Sequence, residues 1–441
     1  MRNPKKHVLA MAVAVSMALP GVAMATNGYF AHAYGVKAKG MAGAGVAMPL
    51  DAMDATTNPA NMVNVGSRID AGLSWFSPRR EYTVDQVGPF LPPPAFSLLP
   101  GNYESDNENF LIPNFAWNHM ISDVNSIGIT VAGNGGMNTE YQNVTAPGAP
   151  ANVPGTYGNG VAGVDLMQLA ALVTYAHQVT DQVSLGVSGV FAWARFKATG
   201  VGSFAAFSTD PANLSNNGYE TSTGFGVKVG ITGDITDNFS LAGSYQSKID
   251  MSELDAYAGL FAEGGDFDIP ATWTIGAKFS PSKEHTIVLD YQQIDYSDVA
   301  AISNPMQPNL NMCFGGNFNS CMGGSNGPGF GWEDTGIIKV GYQYDAGNWQ
   351  ARVGYSHNDQ PIPDSEVLFN ILAPGVVDDH WSLGYSMNVG KSSSLDFSFT
   401  YMPSTKVKGG NPLAATPGGD TQLVTIEMEQ FDVGVNYTWR Y

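Results

Sequence analysis

The stretch Phe431-Asp432-Val433-Gly434-Val435-Asn436-Tyr437-Thr438-Trp439-Arg440-Tyr441 alternates without a fault. Phe431, Val433, Val435, Tyr437, Trp439 and Tyr441 are apolar or aromatic, and the residues between them are polar or small. A period of two means a β-strand with one greasy and one wet face. A strand of a soluble sandwich gives the same pattern, but an aromatic at the last residue suits a closing strand that meets an aromatic belt at a membrane boundary. The stretch therefore predicts an outer-membrane β-barrel.

The other end of the sequence agrees. Arg2, Lys5 and Lys6 precede the apolar run Val8 to Leu19, which Pro20-Gly21 breaks before Ala23-Met24-Ala25. This is the pattern of an export signal, predicted to be cleaved after Ala25 so that the mature chain begins at Thr26. The run falls short of the ~20 residues that a spanning helix needs. No other segment is long and apolar enough, so a membrane crossing has to be made by strands.

Composition fits the same class. Charged residues make up 13 % of the chain and aromatics 11 %, and 52 of 441 residues are glycine. A barrel sets half of every strand against lipid, which removes charge, and it needs glycine at turns and where the lumen is crowded. The net charge is −19 and becomes more negative once the basic leader is lost, which argues against a nucleic-acid partner. Acidic loops beside anionic lipopolysaccharide would favour bridging divalent cations, but no residue set locates a metal site. Cys313 and Cys321 share one Gly/Asn-rich stretch. In an oxidising compartment a local disulfide that pins a loop is the first reading, and a metal pair without a third ligand the weaker one.

Alternating segments recur near 67–76, 109–120, 125–133, 164–177, 183–198, 218–233, 238–249, 268–280, 285–296, 334–345, 348–358, 379–390, 394–402 and 424–441, about fourteen strands. Tight turns such as Thr180-Asp181-Gln182 and Lys391 to Ser393 alternate with the long connections 77–108, 134–163, 199–217, 250–267, 297–333, 359–378 and 403–423. Short periplasmic turns, long external loops and both ends in the periplasm require this alternation. About fourteen strands leave an aqueous hole unless something fills it. Residues 26–66 are Gly- and Ala-rich, lack sustained alternation and are nearly uncharged after Lys39. They read as a plug inside the lumen, with a disordered periplasmic tail as the alternative. The organisation expected is a leader over 1–25, a plug over 26–66 and a barrel over 67–441.

Within the plug, Asn27-Gly28-Tyr29-Phe30, Lys39-Gly40-Met41-Ala42-Gly43-Ala44-Gly45-Val46-Ala47, Asp51 and Asn58-Pro59-Ala60 resemble the FadL/TodX family of outer-membrane transporters. The resemblance implies a hatch that shifts, an external hydrophobic groove, a lumenal pocket, and a gap in the wall at a kinked third strand through which ligand leaves sideways. It also implies long-chain fatty acids or hydrocarbons as cargo and outer-membrane lipid and lipopolysaccharide as surroundings. The protein is expected to act as a monomer, without cofactor.

Single residues can be set against each implication. Gly133, Gly135 and Gly136 close the third strand; glycines there mark a bend, or simply the start of the next loop. The family likeness favours a kink at Gly133, with Asn58 of the hatch turn against it to satisfy unpaired backbone groups. Leu254, Tyr257, Leu260 and Phe261 fall on one face of a short helix, and Phe204 and Phe207 stand in the loop before. These apolar loop residues either pack on one another or form the first docking patch for a greasy ligand. Gly224-Phe225-Gly226 with Gly230 lies mid-strand and is no nucleotide loop. Asp266-Phe267-Asp268 lacks further oxygen ligands for calcium. The seven histidines show no metal spacing. No enzymatic activity is expected. The reading is passive uptake of hydrophobic small molecules, with a general diffusion porin, and behind it an outer-membrane lipid hydrolase, as alternatives.

Overall fold

The computed structural model describes residues 27–85, 97–142, 155–414 and 422–441. The leader expected over 1–25 lies outside the described residues. Fourteen long strands form one antiparallel sheet: β1 (Arg68–Val84), β2 (Phe110–Ser122), β3 (Asn125–Tyr141), β4 (Ala162–Thr180), β5 (Val183–Thr199), β6 (Glu220–Thr236), β7 (Phe239–Gln246), β8 (Thr272–Phe279), β9 (His285–Ile294), β10 (Thr335–Asp345), β11 (Trp349–Asn358), β12 (Asp379–Val389), β13 (Ser393–Gly410) and β14 (Leu423–Arg440). Neighbours in sequence are neighbours in the sheet, and β14 pairs back onto β1 from Arg68↔Arg440 to Val84↔Val424, closing the barrel. No described helix is long and apolar enough to cross a membrane.

The alternation behaves as expected of a wall between lipid and lumen. On β14, Val433, Val435, Tyr437 and Trp439 are exposed, whereas Asp432, Asn436 and Thr438 are buried. The buried face also changes along the strand, because Val424, Ile426 and Met428 replace those polar residues toward the long-loop end. Leu166 on β4 and Phe196 on β5 repeat the change against Thr174 and Ser188. The lumen is thus apolar beneath the long loops and polar near the short turns.

Strand lengths depart from the sequence reading. β1 continues through Pro78 to Val84 and β13 through Pro403 to Gly410, into the stretches 77–108 and 403–423 expected to be long connections. Pro78 is tolerated because the β1 ladder toward β2 ends at Phe76↔Phe110 and resumes only at Glu81↔Glu104, in the short strand Gly101–Glu104. At Pro403 the register with β14 shifts between Met402 and Thr405, a bulge that absorbs the missing donor. β7 ends at Gln246, short of the expected 249, and leaves Ile249 in a bridge to Ile269.

Residues 27–66 add no strand to the wall and are enclosed by it. Lys39 Nζ pairs with Asp432 of β14 at 2.6 Å, and Gly45 and Val46 donate their N–H groups to Asp290 of β9 at 2.6 and 2.9 Å. Ala52 N donates to Asp70 of β1, Asn118 of β2 donates to Met62 O, and Thr130 of β3 donates to Ala52 O. Such close seating needs wall positions without side chains. A Cβ on Gly354 of β11 would lie 2.1 Å from the Met41 carbonyl carbon, and one on Gly186 of β5 2.2 Å from that of Pro59. Gly354→Val should therefore give a barrel that still shows heat-modifiable mobility on gels but carries steady ion current in planar bilayers, where the parent protein stays nearly silent. A silent Gly354→Val barrel would separate the seating of this segment from the blocking of the lumen.

Candidate functional site

The site is built where the wall stops pairing. β2 and β3 share hydrogen bonds only from the turn up to Phe115↔Val131. Above that rung the described structure pairs them no further as strands. The split recloses at its top, where Asp106 N donates to Glu140 O at 2.9 Å and Asn107 Nδ2 to Asn138 Oδ1 at 2.6 Å. Pro113, which has no N–H to give, lies on β2 inside the unpaired stretch. On its other edge β3 slips register against β4 between Gly133 and Gly135, leaving Asn134 as the extra residue.

The first residues of the enclosed segment take the place of the missing partner. Phe30 forms an antiparallel bridge with Gly135; Ala31 N donates to Asn134 O (3.2 Å) and Gly136 N to Tyr29 O (3.0 Å). A Cβ on Gly135 would stand 2.3 Å from Tyr29 O, so glycine is required there for close approach. Asn134 is held by Tyr34, whose hydroxyl donates to its Oδ1 at 3.1 Å, and it donates to Gln168 Oε1 at 3.1 Å. Ala31 packs in the split with Phe76, Phe110, Ile112 and Met167.

Asn58 is therefore not at the bend. Its Oδ1 accepts from Ala60 N (3.0 Å) and caps the turn that Pro59 begins, while Nδ2 donates to Thr232 Oγ1 of β6 at 2.8 Å. The backbone groups of the bent strand are satisfied instead by Ala31 N and the Tyr34 hydroxyl, which both donate to Asn134 O, and by Tyr29 O, which accepts from Gly136 N; sequence reasoning missed these partners. A lone Asn among glycines in Gly133-Asn134-Gly135-Gly136 was the available signal.

Beside the bend lies a cavity of about 40 Å³. One wall is Phe30, Ala31, Ala132, Ala170 and Leu172; the other holds Lys228 of β6 and Lys339 of β10 with Gln246, Thr272 and Gln292. Lys339 Nζ reaches His32 O at 3.3 Å, and among the described residues Lys228 has no carboxylate partner. Within the enclosed segment, burial foremost, then His380, Lys39 and Lys339, hold the His32 imidazole well below its usual range, so it is neutral there. Burial pushes the Asp51 carboxyl up to about 6, with Asp70 adding to the shift and Lys37 and Arg68 opposing it.

Above the cavity an aromatic group surrounds Tyr29: Phe30, Tyr296, Trp332 and Phe267 stand with ring centroids 5.1, 5.7, 6.0 and 6.2 Å away. Gly28 lets the chain turn beneath them at φ +64, where a Cβ would meet the Tyr296 hydroxyl. Trp332 and Tyr296 were also missed, the first within the long connection 297–333 and the second at the last position of the strand expected over 285–296. Higher still, Phe204, Phe207, Leu254, Tyr257 and Phe261 are buried and Leu260 is partly so. These loops pack on one another: Ser208 donates to Gly259 O at 2.7 Å, and Phe261 meets Phe267 at 4.7 Å. They present no exposed patch. Instead Phe204, Leu260 and Phe261 line an apolar cavity of about 30 Å³ with Phe330 and Phe369. Cys313 and Cys321 are joined as a disulfide. Among the described residues no group of three or more His, Cys, Asp or Glu is placed to hold a metal.

Known proteins share this architecture. A family model described as outer membrane protein transport protein (OMPP1/FadL/TodX) matches residues 17–441. No curated protein matches by sequence. Among solved structures, the Pseudomonas putida toluene transporter TodX is similar with a TM-score of 0.64, at 15 % identity over 93 % of this chain and 99 % of that one. A Pseudomonas aeruginosa FadL homologue gives 0.65 at 16 % identity, covering 93 % and 99 %. The Ralstonia pickettii toluene transporter TbuX gives 0.62 at 16 % with the same coverage. Likeness at such identities is one of fold.

The stitch between Tyr29–Ala31 and β3 can be tested alone. Gly135→Val should break both backbone hydrogen bonds, together worth about 1–3 kcal/mol. Hydrogen exchange at Ala31 and Gly136 should then rise about tenfold or more while amides of β13 and β14 keep their protection. Unchanged exchange at both amides would mean that the segment is anchored elsewhere.

Proposed function

The chain belongs to the OMPP1/FadL/TodX family of outer-membrane transport proteins, and from that premise we propose that it takes up hydrophobic small molecules passively, releasing them sideways through the split between β2 and β3. Residues 27–66 act as the hatch, and Gly133, Gly135 and Gly136 let β3 bend away to make the exit. A ligand enters beneath the loops that carry Phe204, Leu260 and Phe261, passes the aromatic group around Tyr29, and reaches the cavity beside the bend. Leaving through the wall keeps it out of the aqueous periplasm. The chain acts as a binding channel and carries out no chemistry of its own.

The observation that carries this reading is the cavity itself, with an apolar wall at the split and two buried lysines opposite. A molecule with a hydrocarbon body and one carboxylate fits both walls, whereas a neutral hydrocarbon would bring no counter-charge to Lys228 and Lys339. A long-chain fatty acid is the simplest such molecule. Ligand pockets usually enclose roughly 300–1,000 Å³, so the cavity in this state is closed and the hatch has to shift for a ligand to lodge. The same close packing counts against a general diffusion porin, which needs an open aqueous lumen.

Hydrogen bonds to charged groups contribute roughly 1.5–3 kcal/mol. The double variant Lys228→Met/Lys339→Gln should therefore take up radiolabelled palmitate about ten- to a hundredfold more slowly, with toluene uptake unchanged, in cells making equal amounts of folded barrel. Palmitate uptake at the parent rate would shift the cargo to neutral hydrocarbons. Failure of the parent protein to speed entry of either compound over a deletion strain would remove the uptake reading.

A further inference from the structure

The outward face of the wall carries Lys and Arg at one boundary alone. Among the described residues, the Lys and Arg side chains at lipid-facing strand positions are Arg79 of β1, Arg195 and Lys197 of β5, and Lys406 and Lys408 of β13, all toward the long-loop ends of their strands. On β5 this face reads upward from the short turn as Leu185, Val187, Gly189, Phe191 and Trp193, with Leu185, Val187 and Phe191 exposed. Arg195 comes next, about 7 Å above Trp193 at the rise of a strand. That is the level at which an aromatic belt ends and lipid headgroups begin.

Three of these cations already have carboxylates of their own. Arg79 faces Glu429 at 3.8 Å, Lys406 faces Glu427 at 2.6 Å and Lys408 faces Asp85 at 2.5 Å. Arg195 and Lys197 have one between them. Arg195 Nη2 stands 3.6 Å from Asp165 of β4, and Lys197 has no carboxylate partner among the described residues. Tyr219 holds both in place: Arg195 Cζ lies 4.2 Å and Lys197 Nζ 4.9 Å from its ring centroid, and its hydroxyl donates to Asp165 Oδ2 at 2.7 Å. A guanidinium held against a ring face keeps its edge N–H groups free, and that edge grips phosphate oxygens bidentately. Another carboxylate near Tyr219, Glu140 of β3, already accepts from Gln142 Nε2 at 3.2 Å. In a chain of net charge −19, the place left short of an anion is thus this one stretch of the outer rim.

We propose that Arg195, Lys197 and Tyr219 bind a phosphate of lipid A, the membrane anchor of lipopolysaccharide, on the outer wall of the barrel. The outer leaflet presents that phosphate at the boundary where these residues stand, with acyl chains directly beneath it. Phe191 and Phe225, paired across β5 and β6 and both exposed, give those chains an apolar surface below the cations. The site depends on the outer-membrane placement of the family and not on the cargo.

The test is native mass spectrometry of the whole barrel, released from detergent micelles after incubation with diphosphorylated lipid A. The parent should keep one lipid A, and Arg195→Gln/Lys197→Gln should keep about tenfold less at the same lipid concentration, with heat-modifiable mobility unchanged. Lys406→Gln/Lys408→Gln, which alters cations that are already paired, should bind like the parent. Dephosphorylated lipid A should not bind, and a large excess of inorganic phosphate should not displace the lipid. A parent that keeps no lipid A, parent-like binding by Arg195→Gln/Lys197→Gln, or an equal loss in Lys406→Gln/Lys408→Gln would each overturn the site. Binding of the dephosphorylated lipid, or its phosphorylated form giving way to free phosphate, would overturn it too. Should the Arg195→Gln/Lys197→Gln barrel fail to assemble, Lys197→Gln alone decides by the same measure.

Discussion

Inside a bilayer no water is at hand to pair a backbone N–H or C=O, and each unpaired group there costs several kcal/mol. The barrel meets this constraint by closure, with β14 laddered to β1 along its whole length. The break between β2 and β3 is the exception, and the chain covers it with its own N-terminal residues, which bond to Asn134 and Gly136 as a strand would. A break in the wall is compatible with a stable barrel because these residues satisfy the groups it exposes. That makes Asn27–Ala31 both a structural repair and a candidate gate.

The enclosed segment is held by a different balance. Lys39 with Asp432 and the Gly45 and Val46 amides on Asp290 are buried, and breaking such contacts one-sidedly leaves an uncompensated group in a dry place. Glycines on the wall let the segment approach to van der Waals contact, so dispersion adds to these polar anchors. The polar lower lumen grips the segment, and the apolar upper lumen offers no such grip. The half with weak hold is where a hydrophobic ligand would need room.

Both cavities are far smaller than a drug-sized ligand, and both have aromatic side chains in their walls. Aromatic side chains have few rotatable bonds and swing as units, so a few rotations around Tyr29 or Phe204 can open space without unfolding a loop. The disulfide lies beside Phe207, whose ring meets Phe314.

Strand period, turn and loop alternation and aromatic placement were legible in the sequence because each is a local property of a chain that has lipid on one side. The disulfide was legible because its two cysteines stand close together in sequence. The extensions of β1 and β13 fell within stretches expected to be long connections, since a ladder's tolerance of Pro78 depends on which neighbour is absent. The bend at Gly133–Gly136 was visible as composition, but its partner was not. Asn58 went to β6, and Tyr29, Ala31 and Tyr34 took the role foreseen for it. The buried loop aromatics and the facing of Lys228 and Lys339 were decided only by tertiary structure. Register and loop packing join residues far apart in sequence, and one slip of register turns an inward side chain outward. The sequence determined that this chain is a lipid-facing barrel with something folded at its N-terminal end; only the folded structure decided which residues meet at the opening in its wall.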